Sequence, residues 1–185
     1  GTGLGVGGLV TGAFGALPLT TEGGHTTFAP TDDLELEINK ALLAKFERVS
    51  NERLLCGEGL VNIHNALAAI EGDKPEVLRP RDVTARAIDK SDPRSVLTIE
   101  VFSRVMGAFA GDVVLTMGAR GGVFVAGGLA PATLDVFDRA AFRARFEAKG
   151  RFRRYMEETP AWIVVHPFAA LTGAAALAPS VIKPA

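Results

Sequence analysis

The 185 residues carry 20 Lys and Arg against 21 Asp and Glu, a net charge of -1, with 48% hydrophobic and 22% charged residues. That is the composition of one soluble globular domain with a real core, and its neutral balance offers no basic footprint for nucleic acid or an anionic membrane. The lone Cys56 excludes an intrachain disulfide and a cysteine-rich metal site and fits a reducing cytoplasm, and no run of about 18 uninterrupted apolar residues marks a transmembrane helix.

The chain opens inside a glycine-rich loop, Gly1-Thr2-Gly3-Leu4-Gly5, with no methionine and no strand before it. Glycines this dense, with one hydroxyl among them, bring backbone N–H groups against a phosphate. The expectation is the back part of a larger nucleotide-using enzyme. Residues 5–11 and 14–20 read as two short strands turning near Gly12. Asp32 and Glu35 form a capping box ahead of Leu34, Ile38, Leu42, Phe46 and Val49, whose spacing predicts a helix over 32–47. After the break at Cys56-Gly57-Glu58-Gly59, Leu60, Ile63, Leu67 and Ile70 fall on one face of a second helix. Asp82 is the expected N-cap of a short helix ending near Lys90.

Asp92 followed by Pro93 reads as an N-cap with proline at the first helical position. From there Leu97, Val101, Val105, Phe109, Val113 and Met117 step by four, so a long helix runs to about 118. Gly107 and Gly111, one turn apart on it, each cost roughly 1 kcal/mol against Ala, which implies that another element packs closely there. A short apolar strand over 121–126 lands on Gly127-Gly128. Residues 131–158 read as helical and basic, 162–165 as a buried strand, and an Ala-rich helix over about 169–178 follows. Strands first, then helices alternating with single strands, argue a mixed α/β layer fold.

Each motif has two readings. Gly3-Leu4-Gly5-Val6-Gly7-Gly8 fits the spacing of a dinucleotide fingerprint, with Glu22 downstream, but such a loop must open a helix and this one leads into strand and turn chemistry. A phosphate-contacting hairpin loop or a structural glycine turn remain. Glu22-Gly23-Gly24-His25 can approach a small polar ligand with an acceptor and a switchable donor/acceptor, or be a surface turn. Glu52, beside Arg53, reads in isolation as a solvated or ion-paired residue. Gly127 and Gly128 let a flat adenine or its ribose lie against backbone, or simply turn a strand into a helix. His64 reads as structural or superficial, His166 as structural or functional, and the basic run 143–154, interleaved with Phe142, Phe146 and Phe152, as an amphipathic helix.

Taken in order, these segments resemble the bacterial ATP-dependent glucokinase family of the hexokinase and actin-like ATPase superfamily. The resemblance spans almost the whole chain. It rests on Gly1-Thr2-Gly3-Leu4-Gly5, on Glu22-Gly23-Gly24-His25 with Phe28-Ala29-Pro30, and on Val49-Ser50-Asn51-Glu52-Arg53. It continues through Gly57-Glu58-Gly59-Leu60-Val61-Asn62, Gly121-Gly122-Val123-Phe124-Val125-Ala126-Gly127-Gly128 and Phe142-Arg143-Ala144-Arg145-Phe146-Glu147-Ala148-Lys149-Gly150-Arg151-Phe152.

The resemblance implies an α/β fold, a ribonuclease H-like/actin-like ATPase domain with a mixed sheet and flanking helices, lacking its first strand or strands. Residues 1–185 would be the large C-terminal domain, with the small N-terminal domain absent. It implies glucose on Glu22, His25 and Glu52, where charge-assisted bonds satisfy sugar hydroxyls. ATP would meet Gly1, Thr2 and Gly3 as a second phosphate loop and Gly127 and Gly128 as an adenosine motif. Mg²⁺ in the intact enzyme, a cytoplasmic location and a homodimer are implied as well.

Two departures stand out: Glu58 where the family has proline, and Phe168-Ala169-Ala170-Leu171-Thr172-Gly173 where it has Pro-Gly-Leu-Leu-Gly. The family's Asp-x-Gly-Gly-Thr loop and its proton-accepting aspartate have no counterpart in these residues, so no catalytic residue is assigned and the chain alone is expected to be inactive or nearly so. A repressor-and-kinase (ROK) family member is disfavoured, because that family's cysteine-rich zinc motif is replaced here by Thr26-Thr27-Phe28-Ala29-Pro30. A non-catalytic sugar-binding or scaffold module of the same fold is the other alternative.

Overall fold

The computed structural model describes residues 3–13 and 15–181, and the helix over Pro93–Met117 is the spine against which the helices at Gly57–Ile70, Pro80–Ile88 and Arg139–Glu147 pack. In chain order the elements are β1 (Val6–Gly12), β2 (Gly15–Thr21), α1 (Asp33–Leu43), α2 (Gly57–Ile70), α3 (Pro80–Ile88) and α4 (Pro93–Met117). They continue with β3 (Val123–Val125), α5 (Leu129–Ala132), α6 (Arg139–Glu147), α7 (Arg153–Glu157), β4 (Ala161–Ile163) and α8 (Ala169–Val181). Short 3-10 turns at Gly23–His25, Asn51–Arg53 and Gly150–Phe152 complete the trace.

The start and stop of α4 are written in its ends. Asp92 accepts the N–H groups of Arg94 and Ser95 and the Ser95 hydroxyl, Pro93 fills the first helical position, and Gly118 ends the helix in the left-handed region at φ 63°. Along its length Val101, Phe102, Val105 and Phe109 meet Leu60, Ile63 and Leu67 of α2, Ile38 and Leu42 of α1, and Phe142 and Phe146 of α6 in one core. The element that Gly107 and Gly111 admit is α6. A Cβ on Gly107 would overlap the carbonyl of Phe142, and one on Gly111 would press on the carbonyl of Phe146 and the side chain of Lys149.

The strands form two separate pairs. β1 and β2 are an antiparallel hairpin with Val6 opposite Thr21 and Leu9 opposite Pro18. β3 and β4 run parallel, Phe124 opposite Trp162. No ladder joins the two pairs among the described residues.

Several boundaries differ from the sequence expectation, each for a local reason. α1 stops at Leu43, because the Leu42 carbonyl accepts from both Lys45 and Phe46 and the chain turns. Glu35 does not close the box on Asp32; it reaches back to the N–H and hydroxyl of Thr31, both at 2.8 Å. The N-cap of α3 is Arg79, with Asp82 three residues inside, its carboxylate accepting the Arg79 N–H. Pro80 supplies the shift, since a proline is best placed at the first helical position.

The stretch 131–158 is broken into three helices, and the basic run 143–154, expected as one amphipathic helix, is divided between α6, the Gly150–Phe152 turn and α7. Arg145 turns inward to Glu35, which is 1% exposed, and also lies 3.3 Å from Asp32, to which Arg104 is paired as well. This cluster ties α1, α4 and α6 together. Arg143 instead donates to the carbonyls of Met156, Glu157 and Thr159 at the end of α7. The strand expected to be buried is only half covered: Trp162 is 44% exposed and stacks on Phe124 with ring centroids 4.6 Å apart.

Candidate functional site

Three stretches far apart in sequence meet at one edge of the helical core. Gly23–His25 forms a tight turn that Thr26 closes by donating its hydroxyl to the Gly23 carbonyl. An isolated bridge pairs Thr27 with Ser50, and Phe28 donates to the Val49 carbonyl, so the residues after this turn lie alongside the segment before Asn51–Arg53. Asn51 locks the junction. Its backbone N–H donates to the Thr26 carbonyl at 2.9 Å, and its buried carboxamide donates to the Thr26 carbonyl and hydroxyl and to the Thr27 carbonyl. From outside, Arg48 donates to the His25 carbonyl at 2.7 Å.

The effect is to gather Glu22, His25 and Glu52. His25 Nδ1 is 3.7 Å from Glu52 Oε1, and His25 Nε2 is 3.9 Å from Glu22 Oε2. Both gaps exceed a direct hydrogen bond and suit a small hydroxyl lying against both groups. Their surroundings differ: the Glu22 side chain is 90% exposed, that of Glu52 only 25%. The third stretch is the glycine loop. Leu4 N–H donates to Glu52 Oε2 at 2.9 Å, and the Leu4 carbonyl lies so close to Gly24 that a Cβ there would overlap it.

Behind Leu4 opens a cavity of about 220 Å³ between β1, β3 and α4, lined by Gly3, Gly5, Val125, Gly127 and Met106 among others. It brings Gly3 and Gly127, far apart in sequence, to the same walls. Gly127 adopts φ 113°, a conformation that favours glycine. Gly128 does not line the cavity; it is the N-cap of the short α5. Gly1 and Thr2 lie outside the described residues. β1 follows the loop directly, as its strand chemistry requires, so no helix begins there to hold a dinucleotide.

Cys56 caps α2 and also lines the cavity; burial pushes its thiol up, which keeps it protonated and poorly nucleophilic. His64 is 0% exposed, with Nε2 3.0 Å from Asp92 Oδ2, and takes no part in the site. His166 is exposed, its Nδ1 accepting the Phe168 N–H. Among the described residues no group of three or more His, Cys, Asp or Glu side chains is placed to hold a metal ion. No helix among them is long and apolar enough to cross a membrane.

Sequence reading did not find Asn51, Arg48 or the Leu4 amide. Asn51 and Arg48 carry no signal of their own, because their roles consist of bonds to carbonyls and hydroxyls more than twenty residues away.

Two carboxylates and an imidazole are thus gathered at hydroxyl spacing beside a glycine-lined cavity. The chain belongs to the glucokinase family, whose model, described as Glucokinase, matches residues 1–181. It is 53% identical over 178 residues to the glucokinase of Xanthomonas euvesicatoria pv. vesicatoria (strain 85-10), covering 96% of this chain and 53% of that protein. The chain thus spans about half the length of the curated relatives it matches. The crystal structure of a glucokinase from an Antarctic psychrotroph superposes with a TM-score of 0.90 at 30% identity, over 97% of this chain and 56% of that one. A ROK family glucokinase from Streptomyces griseus, in complex with glucose and AMPPNP, shares the fold at TM-score 0.60 and 22% identity, over 97% of this chain and 58% of that one. The fold is therefore that of the actin-like ATPase sugar kinases.

Proposed function

We propose that residues 1–185 are the large domain of an ATP-dependent glucokinase, which in the intact enzyme moves a phosphoryl group from ATP to the 6-hydroxyl of glucose. The observation that carries this is the convergence of Glu22, His25 and Glu52 beside a cavity walled by Gly3 and Gly127. Glu52 and His25 take neighbouring ring hydroxyls, the carboxylate as acceptor and the imidazole as donor or acceptor. Glu22, more exposed, closes on the sugar from the solvent side. Gly1, Thr2 and Gly3 approach the phosphates, and Gly127 and Gly128 the adenosine. A glucose- and AMPPNP-bound relative of the same fold supports this pair of ligands.

Mg²⁺ is assigned to the nucleotide's phosphates, where a hard cation keeps several waters and needs few protein ligands. The described site offers no group for the 6-hydroxyl proton other than the carboxylates and imidazole already assigned to holding the sugar, so no base is assigned. A cytoplasmic location is proposed from the lone, buried Cys56, and a homodimer from the family resemblance.

Calorimetric titration of the chain with glucose tests the sugar site. Glu52→Gln is expected to weaken binding tenfold or more, since it removes a charge-assisted bond from a sheltered position, and Glu22→Gln less. Unchanged affinity in both variants overturns the ligand assignment.

A further inference from the structure

Glu52 has two oxygens, and they face different things. Oε1 is turned to His25 Nδ1 at 3.7 Å, on the sugar side. Oε2 accepts the backbone N–H of Leu4 at 2.9 Å, across 48 residues of sequence. A carboxylate is acceptor-only with two separate oxygens, so one can hold backbone while the other remains free for a ligand. The bond to Leu4 is charge-assisted, and such bonds are roughly twice as strong as neutral ones.

The Leu4 peptide has little freedom to move away from this contact. Its carbonyl is pressed against Gly24, where even a methyl group would collide, and Gly3 beside it leaves no room for a Cβ against Glu52 Oε2. The Leu4 side chain is partly buried against the core and lines the cavity. Glu52 is equally fixed, because it follows Asn51, whose backbone and carboxamide are bonded to the Thr26–Thr27 strip. The glycine loop, the Gly23–His25 turn and the Asn51–Arg53 turn are therefore one stack of peptide with the Glu52 carboxylate at its centre.

We propose that Glu52 is a positioning residue for the glycine loop as well as a sugar ligand, so that a hydroxyl engaged at Oε1 is felt through Oε2 at Gly3 and Leu4. The sugar pocket and the phosphate-facing loop are coupled within this chain by a single side chain. The sugar half of this statement rests on the proposed function; the clamp on the loop does not.

Amide hydrogen exchange and glucose titration followed by NMR test it. In the unaltered chain the Leu4 amide is expected to exchange much more slowly than an unstructured amide, and its signal to shift when glucose is added. Exchange at Leu4 is expected to be at least tenfold faster in Glu52→Ala and intermediate in Glu52→Gln, whose carbonyl still accepts but without charge. A Leu4 amide that exchanges at the unstructured rate in the unaltered chain overturns the clamp without need of any variant, as do equal rates in all three proteins. If glucose moves the His25 ring signals and leaves Leu4 unmoved, the coupling is overturned. If glucose moves neither, the sugar site has failed and the coupling with it, while the exchange rates still decide the clamp.

Discussion

At Asn51 one carboxamide N–H₂ group lies within bonding reach of the Thr26 carbonyl and hydroxyl and the Thr27 carbonyl, at 3.2, 3.0 and 3.4 Å. Those bonds hold the turn that carries His25 against the turn that carries Glu52, so Asn51 shapes the site without facing it. Asn51→Ala is expected to cost about 1–3 kcal/mol of stability, because it leaves partly buried acceptors unpaired. It should also weaken glucose binding several-fold while Glu52 and His25 are intact. Urea unfolding and calorimetry on the same variant check the two effects, and the expected loss of stability with unchanged glucose affinity would contradict the positioning role. At the same scale, Glu52 shows why a residue type is a poor guide to its work. A Glu beside an Arg reads as a surface pair, whereas here the Arg53 guanidinium lies over the Phe46 ring at 4.2 Å and Glu52 looks to Leu4 and His25.

Among the elements, α4 depends on its first turn and on its contact with α6. Burial works against the charge of Asp92, but the Ser95 hydroxyl, the His64 imidazole and the Arg94 N–H outweigh it and hold the carboxyl at about 2. An acid whose folded value lies below its unfolded value of roughly 3.9 stabilises the fold above that value and loses the contribution as pH falls toward the folded one. Stability is therefore expected to drop between about pH 4 and pH 2, and Asp92→Asn to flatten that part of the profile in urea melts measured across the range. A slope unchanged in the variant would remove Asp92 as its source. The helix contact gives a paired test. Gly107→Ala should destabilise by about 1–3 kcal/mol despite alanine's better helix propensity, because its methyl group meets the Phe142 carbonyl. Gly173→Ala in α8, where a Cβ meets nothing within 4 Å, should instead stabilise by up to about 1 kcal/mol. Thermal melts of the two variants moving in the same direction would contradict this reading of the α4–α6 contact.

On the scale of the whole molecule, the proposed function gives the chain a sugar-facing and a nucleotide-facing surface but no base, and phosphoryl transfer depends on positioning, metal and proton acceptor together. The 185-residue protein supplied with glucose, ATP and Mg²⁺ is expected to form glucose 6-phosphate at or near the uncatalysed background in a coupled assay; turnover of roughly 1 per second or more, ordinary for a kinase, would refute this. Sedimentation at micromolar concentration checks the homodimer, with a monomer counting against it. Much of the architecture was legible from local chemistry. The hairpin, the four helices between Asp33 and Met117, the cap at Asp92-Pro93 and the close approach at Gly107 all follow from propensity, spacing and the cost of glycine in a helix. Helix spacing and caps are near-neighbour physics, and near neighbours are what a sequence displays. The motif blocks also marked Glu22, His25, Glu52, Gly3 and Gly127 as candidates, though each alone had a bland reading. Their meeting at one edge, the inward turn of Arg145 to Glu35, the two oxygens of Glu52 and the half-open face of β4 were decided only by tertiary structure. Each of these depends on which distant backbone or charge a side chain finds once the core has closed, and no spacing along the chain encodes that distance.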